Sequence, residues 1–354
     1  MITVNYGRDW VKTTYDTLIA SDIKETLQKN FSVSLKPNLV VERPASGGAT
    51  THPEVIEGII LFLKDYGIND IKIIENSAFG HSTKQAFRAC GYEALNKKYG
   101  IQLKDLKDDR FISLKHENIE YQISETALNS NFLINVPVLK AHCQTLMTCC
   151  MKNLKGCIPQ SEMRRFHSLG LHKPIAGLNV LLKTHYCVVD GICGDLSFEE
   201  GGTPVEANRI IAGQNPLLID SFCAQMIGYN PDDIGYLSCG KTSGIGEFYS
   251  QKTKVIELNI DNKPLIQEKS VRIADKYRSL IDEREACSVC YAALIFALHR
   301  KGGLIKGKKI CIGQGFKEKG ESSADCLGIG NCAKNFKTWV KGCPPKAVDI
   351  LGQL

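Results

Sequence analysis

The chain has 354 residues, 43% hydrophobic and 23% charged, with fifteen cysteines and a formal net charge of +6. This composition excludes a disordered or low-complexity chain, and the length allows one large α/β domain with a smaller appendage. The charge is too modest to mark a nucleic-acid binder, the apolar runs are too short for a membrane span, and no basic-then-apolar leader follows Met1, so a cytoplasmic protein with no nucleic-acid or membrane partner is expected.

In chain order, FSVSLKPNLVV reads as a strand closing at a turn, HPEVIEGIILFLKDYG as a helix ended by Gly67, and DIKIIENS as a second strand. KQAFRACGYEALNKKYG reads as one further helix, and NFLINVPVLK, YCVVDGI and ANRIIAG as strands. DSFCAQMIG opens another helix, with Asp220 either as its cap or as an acid–base group at a strand end. This alternation predicts an α/β fold with a mainly parallel or mixed sheet flanked by helices. From about Ser270 the texture changes to one or two helices followed by Lys- and Gly-rich turns around the short strand KKICIG. The expected division is therefore residues 1–270 as an α/β domain and residues 271–354 as a smaller Cys-rich domain.

Almost all the excess positive charge lies between Lys140 and Lys173, where six basic residues face the single acid Glu162. Lys140, His142, Lys152, Asn153 and His167 follow a strand, and cationic and amide donors at a strand's carboxyl end suit a small anionic substrate such as a carboxylate or phosphate. Lys36 and Asn38 of LKPNLV close another strand and join the same expected pocket. The alternative is a solvated basic loop. Lys140, His142, Lys152 and Asp190 are the acid–base candidates, although Asp190 also suits a turn. The thiols and imidazoles of the basic segment show no ligand spacing that argues for a second metal. Neither G-x-G-x-x-G after a strand nor G-x-x-x-x-G-K-[ST] is present.

Six cysteines (Cys287, Cys290, Cys311, Cys326, Cys332 and Cys343) fall from residue 287 onward. Without a secretion signal they read as metal ligands and not as a disulfide framework, and oxygen-sensitive thiolates fit an anaerobe. Cys287 and Cys290 form a C-x-x-C pair at the start of an apolar helical segment, where early helix amides favour negative charge. Cys332 in GIGNCAKN and Cys343 in KGCPPK complete a four-thiolate set, with Cys326 as the alternate to Cys332. The prolines after Cys343 stiffen its loop and remove competing amide donors, as in iron–sulfur loops. One [4Fe-4S] cluster is expected; zinc is the alternative, although zinc ribbons usually carry two short knuckles and only one is present. Cys311 reads as a buried small hydrophobe.

The ordered set LKPNLV, THPEVIEGII, NVPVLKAH, MKNLKGCIP, VVDGI and NPLLIDSFCAQMIGYNP, ending in CSVC, GNCA and GCPP, resembles the domain-of-unknown-function family 362 over most of the chain. The resemblance implies a cytoplasmic protein of anaerobes, with iron–sulfur cysteines near the C-terminus in many members. This chain departs from members that end in a C-x-x-C-x-x-C-x-x-x-C-P ferredoxin repeat, which favours one cluster over two. GCPP is also locally similar to the last ligand segment of the iron–sulfur small subunits of respiratory complexes and hydrogenases. The expected function is an iron–sulfur oxidoreductase with its cluster beside a basic substrate pocket. The alternatives are an electron carrier or cluster-assembly partner that engages a redox protein, and a zinc-stabilised binding protein.

Overall fold

The computed structural model describes residues 1–264, 273–302, 309–317 and 326–354. Its main element is an eight-stranded mixed sheet. In spatial order the strands are Val255–Leu258, Ile2–Tyr6, Pro204–Gly213, Tyr186–Asp195, Phe132–Val136, Val33–Pro37, Ile71–Glu75 and Gln102–Asp105. The five from Tyr186–Asp195 to Gln102–Asp105 run parallel, whereas Pro204–Gly213 is antiparallel to both its neighbours.

Successive side chains of a strand face opposite sides of a sheet, and here both sides are covered. Ile134, Val188 and Ile210 enter one core with the helix Pro53–Tyr66, while Leu133, Val189 and Ile211 enter the other with Leu154, Phe166 and Ile175. That double burial explains why these strands read as continuous apolar runs. Gly67 closes the helix Pro53–Tyr66 in the left-handed conformation, φ +100°. The single helix expected over residues 84–100 is instead two, Thr83–Ala89 and Tyr92–Tyr99, because Gly91 at φ +80° breaks the helical path.

Asp220 is not the cap of its own helix. That helix is Pro216–Met226, and Asn215 caps it by accepting from Leu218 N. Asp220 lies inside, fully buried, and accepts from Cys150 N at 2.7 Å and Met151 N at 3.0 Å, so it caps the neighbouring turn Cys150–Asn153.

The boundary expected near Ser270 lies outside the described residues. Beyond it, Ile281–Glu283, Lys309–Ile312, Cys326–Ile329 and Thr338–Val340 form a four-stranded parallel sheet, where the sequence showed one strand among turns. Three- and four-residue strands are too short to display a period, which is why three of them escaped notice. The helix Ser288–Lys301 packs Leu294, Ile295 and Leu298 against Ile310, Ile312, Leu327 and Ile329. No described helix is long and apolar enough to cross a membrane.

Candidate anion and metal site

The parallel strands Val33–Pro37, Ile71–Glu75 and Phe132–Val136 end at one edge of the sheet, where open α/β sheets place their ligands. A cavity of about 110 Å³ opens there. All seven residues expected to bind substrate (Lys36, Asn38, Lys140, His142, Lys152, Asn153 and His167) line it. Lys140 and His142 are 2% and 5% exposed, so the basic segment is not a solvated loop.

The lining residues differ in what they have free. Lys36 Nζ meets Glu75 at 2.8 Å in a fully buried ion pair and also donates to Pro37 O. Its charge is therefore committed, and it positions the floor of the cavity instead of offering a free cation. Gly156 crosses that pair so closely that a Cβ there would lie 2.0 Å from Glu75 Oε1. Burial pushes the Glu75 carboxyl up, against the pull of Lys36. Lys140 Nζ donates to Ala49 O at 2.6 Å and Glu199 O at 2.9 Å; burial, with Lys152 nearby, pushes it down to about 7.

Lys152 and Lys155 are half-buried. Lys152 donates to Thr148 Oγ1, and burial pushes it down to about 8. Burial and then the charge of Lys152 bring Lys155 to about 7. Arg164 lies over the Phe79 ring, 4.8 Å from its centroid, and its buried Nε has no hydrogen-bond partner.

His142 Nδ1 accepts from the backbone N–H groups of Gln144 and Thr145, each at 3.1 Å. The ring proton therefore resides on Nε2 and is donated to Glu199 Oε2 at 2.7 Å. Burial alone would raise Glu199, but His142, then Lys152 and Lys140, hold it at about 2. Burial brings His142 itself down to about 4. Cys143 Sγ lies 3.4 Å from Glu199 Oε2, so His142, Cys143 and Glu199 place three donor atoms together. The Nε2 proton argues against a metal there, because a ligating imidazole nitrogen must be bare. Cys149, Cys150 and Asp220 form a similar buried group, in which both Asp220 oxygens are already engaged by amides.

Asp190 requires a correction, because it is not among the residues lining the cavity. Its fully buried carboxylate accepts from His52 N at 2.7 Å and His52 Nδ1 at 2.8 Å, and from Ile192 N. Burial lowers the basicity of His52, but the charge and hydrogen bond of Asp190 outweigh it and hold His52 at about 10. Asp190 thus fixes one loop to the sheet.

Glu75, Asn76, Arg164 and Glu199 also line the cavity but were not singled out as site residues from the sequence. Glu75 and Asn76 end an apolar strand in IKIIEN, the same signal that Lys36 and Asn38 give in LKPN. Glu199, in SFEEGG, carries no local signal.

None of the fifteen cysteines forms a disulfide. Cys287 caps the helix Ser288–Lys301, Cys290 lies in its first turn, and Cys287 lines the cavity. Burial raises the Cys287 thiol, with Arg164 opposing and Cys332 and Cys343 adding to the rise; burial likewise raises Cys290, with Cys287, Cys343 and Cys332 contributing. Burial and Cys343 also raise Cys332. The four thiols are thus electrostatic neighbours although 41 residues separate Cys290 from Cys332. Among the described residues, no three of them have sulfurs within 4.8 Å of one another. That is wider than the roughly 4 Å expected around one tetrahedral ion at zinc–sulfur bond lengths of about 2.3 Å. Pro344 of the Cys343 loop packs on Gly80, where a Cβ would lie 2.9 Å from Pro344 Cδ, and the neighbours of Gly80 in the chain, Phe79 and His81, line the cavity. Cys311 and Cys326 instead pack with Phe316, Ala333 and Phe336 in a separate small core.

Comparison with known proteins gives a thylakoid-associated protein of Synechocystis sp., 24% identical over 245 residues, which are 65% of this chain and 74% of that one. The lactate racemase apoprotein from Thermoanaerobacterium thermosaccharolyticum matches with a TM-score of 0.42 at 11% identity, over 87% of this chain and 68% of that one. A protein from Thermotoga maritima matches with a TM-score of 0.37 at 14% identity, over 52% and 51%. Residues 33–225, more than half of the 354, match the family model described as "Domain of unknown function (DUF362)", and the chain belongs to that family.

Proposed function

We propose that this protein is an iron–sulfur oxidoreductase in which one [4Fe-4S] cluster, held by Cys287, Cys290, Cys332 and Cys343, stands beside a pocket for a small anionic substrate. One observation carries the reading: Cys287 lines the same cavity as Lys152, Lys155 and Arg164. A bound cluster would supply electron transfer or Lewis acidity. Lys152, Lys155 and Arg164 attract and orient the anion. Lys155, brought to about 7, serves as a proton donor and acceptor near neutrality. Glu199 keeps His142 in one tautomer and orientation, while Lys36, Glu75 and Asn153 hold the floor rigid.

Burial, and then the neighbouring thiols, raise the proton affinity of Cys287, Cys290 and Cys332, an arrangement that a bound cation relieves. Cys343 is exposed, which leaves that side of the set open to a redox partner protein. Protein purified without oxygen should contain about four irons and as many sulfides per chain. Stoichiometric zinc without sulfide would replace this reading with a zinc-stabilised binding protein.

A further inference from the structure

We infer that the ligand of this cavity is a small organic anion that also carries hydroxyl groups, donated to Asn38 and Asn76. The inference rests on the anion reading above and narrows it. Asn38 and Asn76 follow the carboxyl ends of two adjacent parallel strands, both line the cavity, and each is only 2% exposed. The Oδ1 atom of each is buried without a hydrogen-bond partner.

Neither amide can be turned to hide this. Asn153 Nδ2 donates to Lys36 O, Pro37 O and Asn135 Oδ1, which leaves Asn153 Oδ1 to accept from Lys36 Nζ at 3.3 Å and Asn38 Nδ2 at 3.0 Å. Reversing Asn38 would set two amide oxygens against each other. Asn76 Nδ2 donates to Ile158 O at 2.8 Å, and reversing it would face oxygen with carbonyl. The network therefore dictates two acceptors with nothing to accept.

A bare carboxylate or phosphate offers acceptors only. It suits Lys152, Lys155 and Arg164 but leaves both Asn oxygens unsatisfied, and it displaces any water that served them. The missing donors are hydroxyls and not ammonium groups, because the lining already holds five lysine and arginine side chains against three carboxylates. At about 110 Å³ the cavity is in the range that holds a molecule of about six heavy atoms.

The test is calorimetric titration of the anaerobically purified full chain at mildly acidic pH with propionate, lactate and glycerate, one carbon skeleton with none, one and two hydroxyls, and with glycerol as the uncharged control. Glycerate should bind about tenfold or more tightly than propionate, with lactate between and glycerol weakest. Asn76→Leu and Asn38→Leu should each shrink the glycerate advantage, read as the ratio of glycerate to propionate affinity within the same variant. Equal affinities for propionate and glycerate overturn this inference while the anion reading stands. A glycerate advantage that survives Asn76→Leu overturns the assignment of the donors. Failure of all three acids to bind overturns the anion reading and this inference with it.

Discussion

The cavity floor and the thiol set differ in how much of their order the polypeptide supplies itself. On the floor, buried charges and amides are largely matched: Lys36 to Glu75 and Asn153, Lys140 to two carbonyls, His142 to Glu199. Among the described residues the thiols Cys287, Cys290 and Cys332 have one another, Cys343 and Arg164 or Lys317 as charged neighbours, and burial, with the neighbouring thiols adding to it, raises their pKa values. A matched buried network folds rigid without help, whereas a cluster of thiols is completed by what it binds. On the proposed reading, one chain joins a preorganised half-site to one completed by its metal.

The largest effect should follow metal removal. Chelation under anaerobic conditions, or Cys290→Ser, should strip amide-exchange protection from the helix Ser288–Lys301 by about a hundredfold or more and leave the strands Val33–Pro37 and Phe132–Val136 unchanged. Equal loss in both regions would erase the contrast. Next, Glu75→Gln should cost about 3–5 kcal/mol in denaturant unfolding, because it strands a buried Lys36. Unlike chelation, it should lower protection in the large sheet.

Lys155→Ala and Lys152→Ala should each weaken anion binding by about tenfold, the value of one charge-assisted contact, and leave iron content unchanged. The pH dependence sharpens the contrast further. Anion affinity should fall as pH rises through about 7 to 8, where Lys155 and Lys152 lose their protons. Stability should do the reverse. Their pKa values, like that of Lys140, are depressed in the folded chain, so between about pH 7 and about 10.4 the unfolded chain binds more protons and unfolding becomes harder as pH rises. Affinity and stability that move together would contradict the assignment. The smallest effect belongs to Cys311→Ala, about 1 kcal/mol from a small core void, with iron retained.

Much of this was legible in the sequence because it follows from local pattern. The apolar strands gave the α/β class, and polar residues at or just past their ends, Lys36, Asn38 and Lys140, pointed to the cavity. The C-x-x-C pair before an apolar helix placed Cys287 at a helix start. Long-range partners were not legible. Glu199 reaches His142 from 57 residues away, and nothing in SFEEGG marks it. Asp190 shares the strand-end signal of Glu75, yet its carboxylate is taken up by His52 while Glu75 borders the cavity. The same signal serves structure in one case and the site in the other, and only the tertiary neighbour decides which.

The measurement closest to the central claim is the electron paramagnetic resonance spectrum of the anaerobically purified, dithionite-reduced protein, recorded with and without saturating glycerate. An iron–sulfur cluster whose ligand Cys287 lines the anion cavity beside Arg164 should answer the anion with shifted g-values in the wild type, and Arg164→Met should diminish the response. A cluster signal that stays the same while calorimetry shows the anion bound would place the two sites apart and contradict the account.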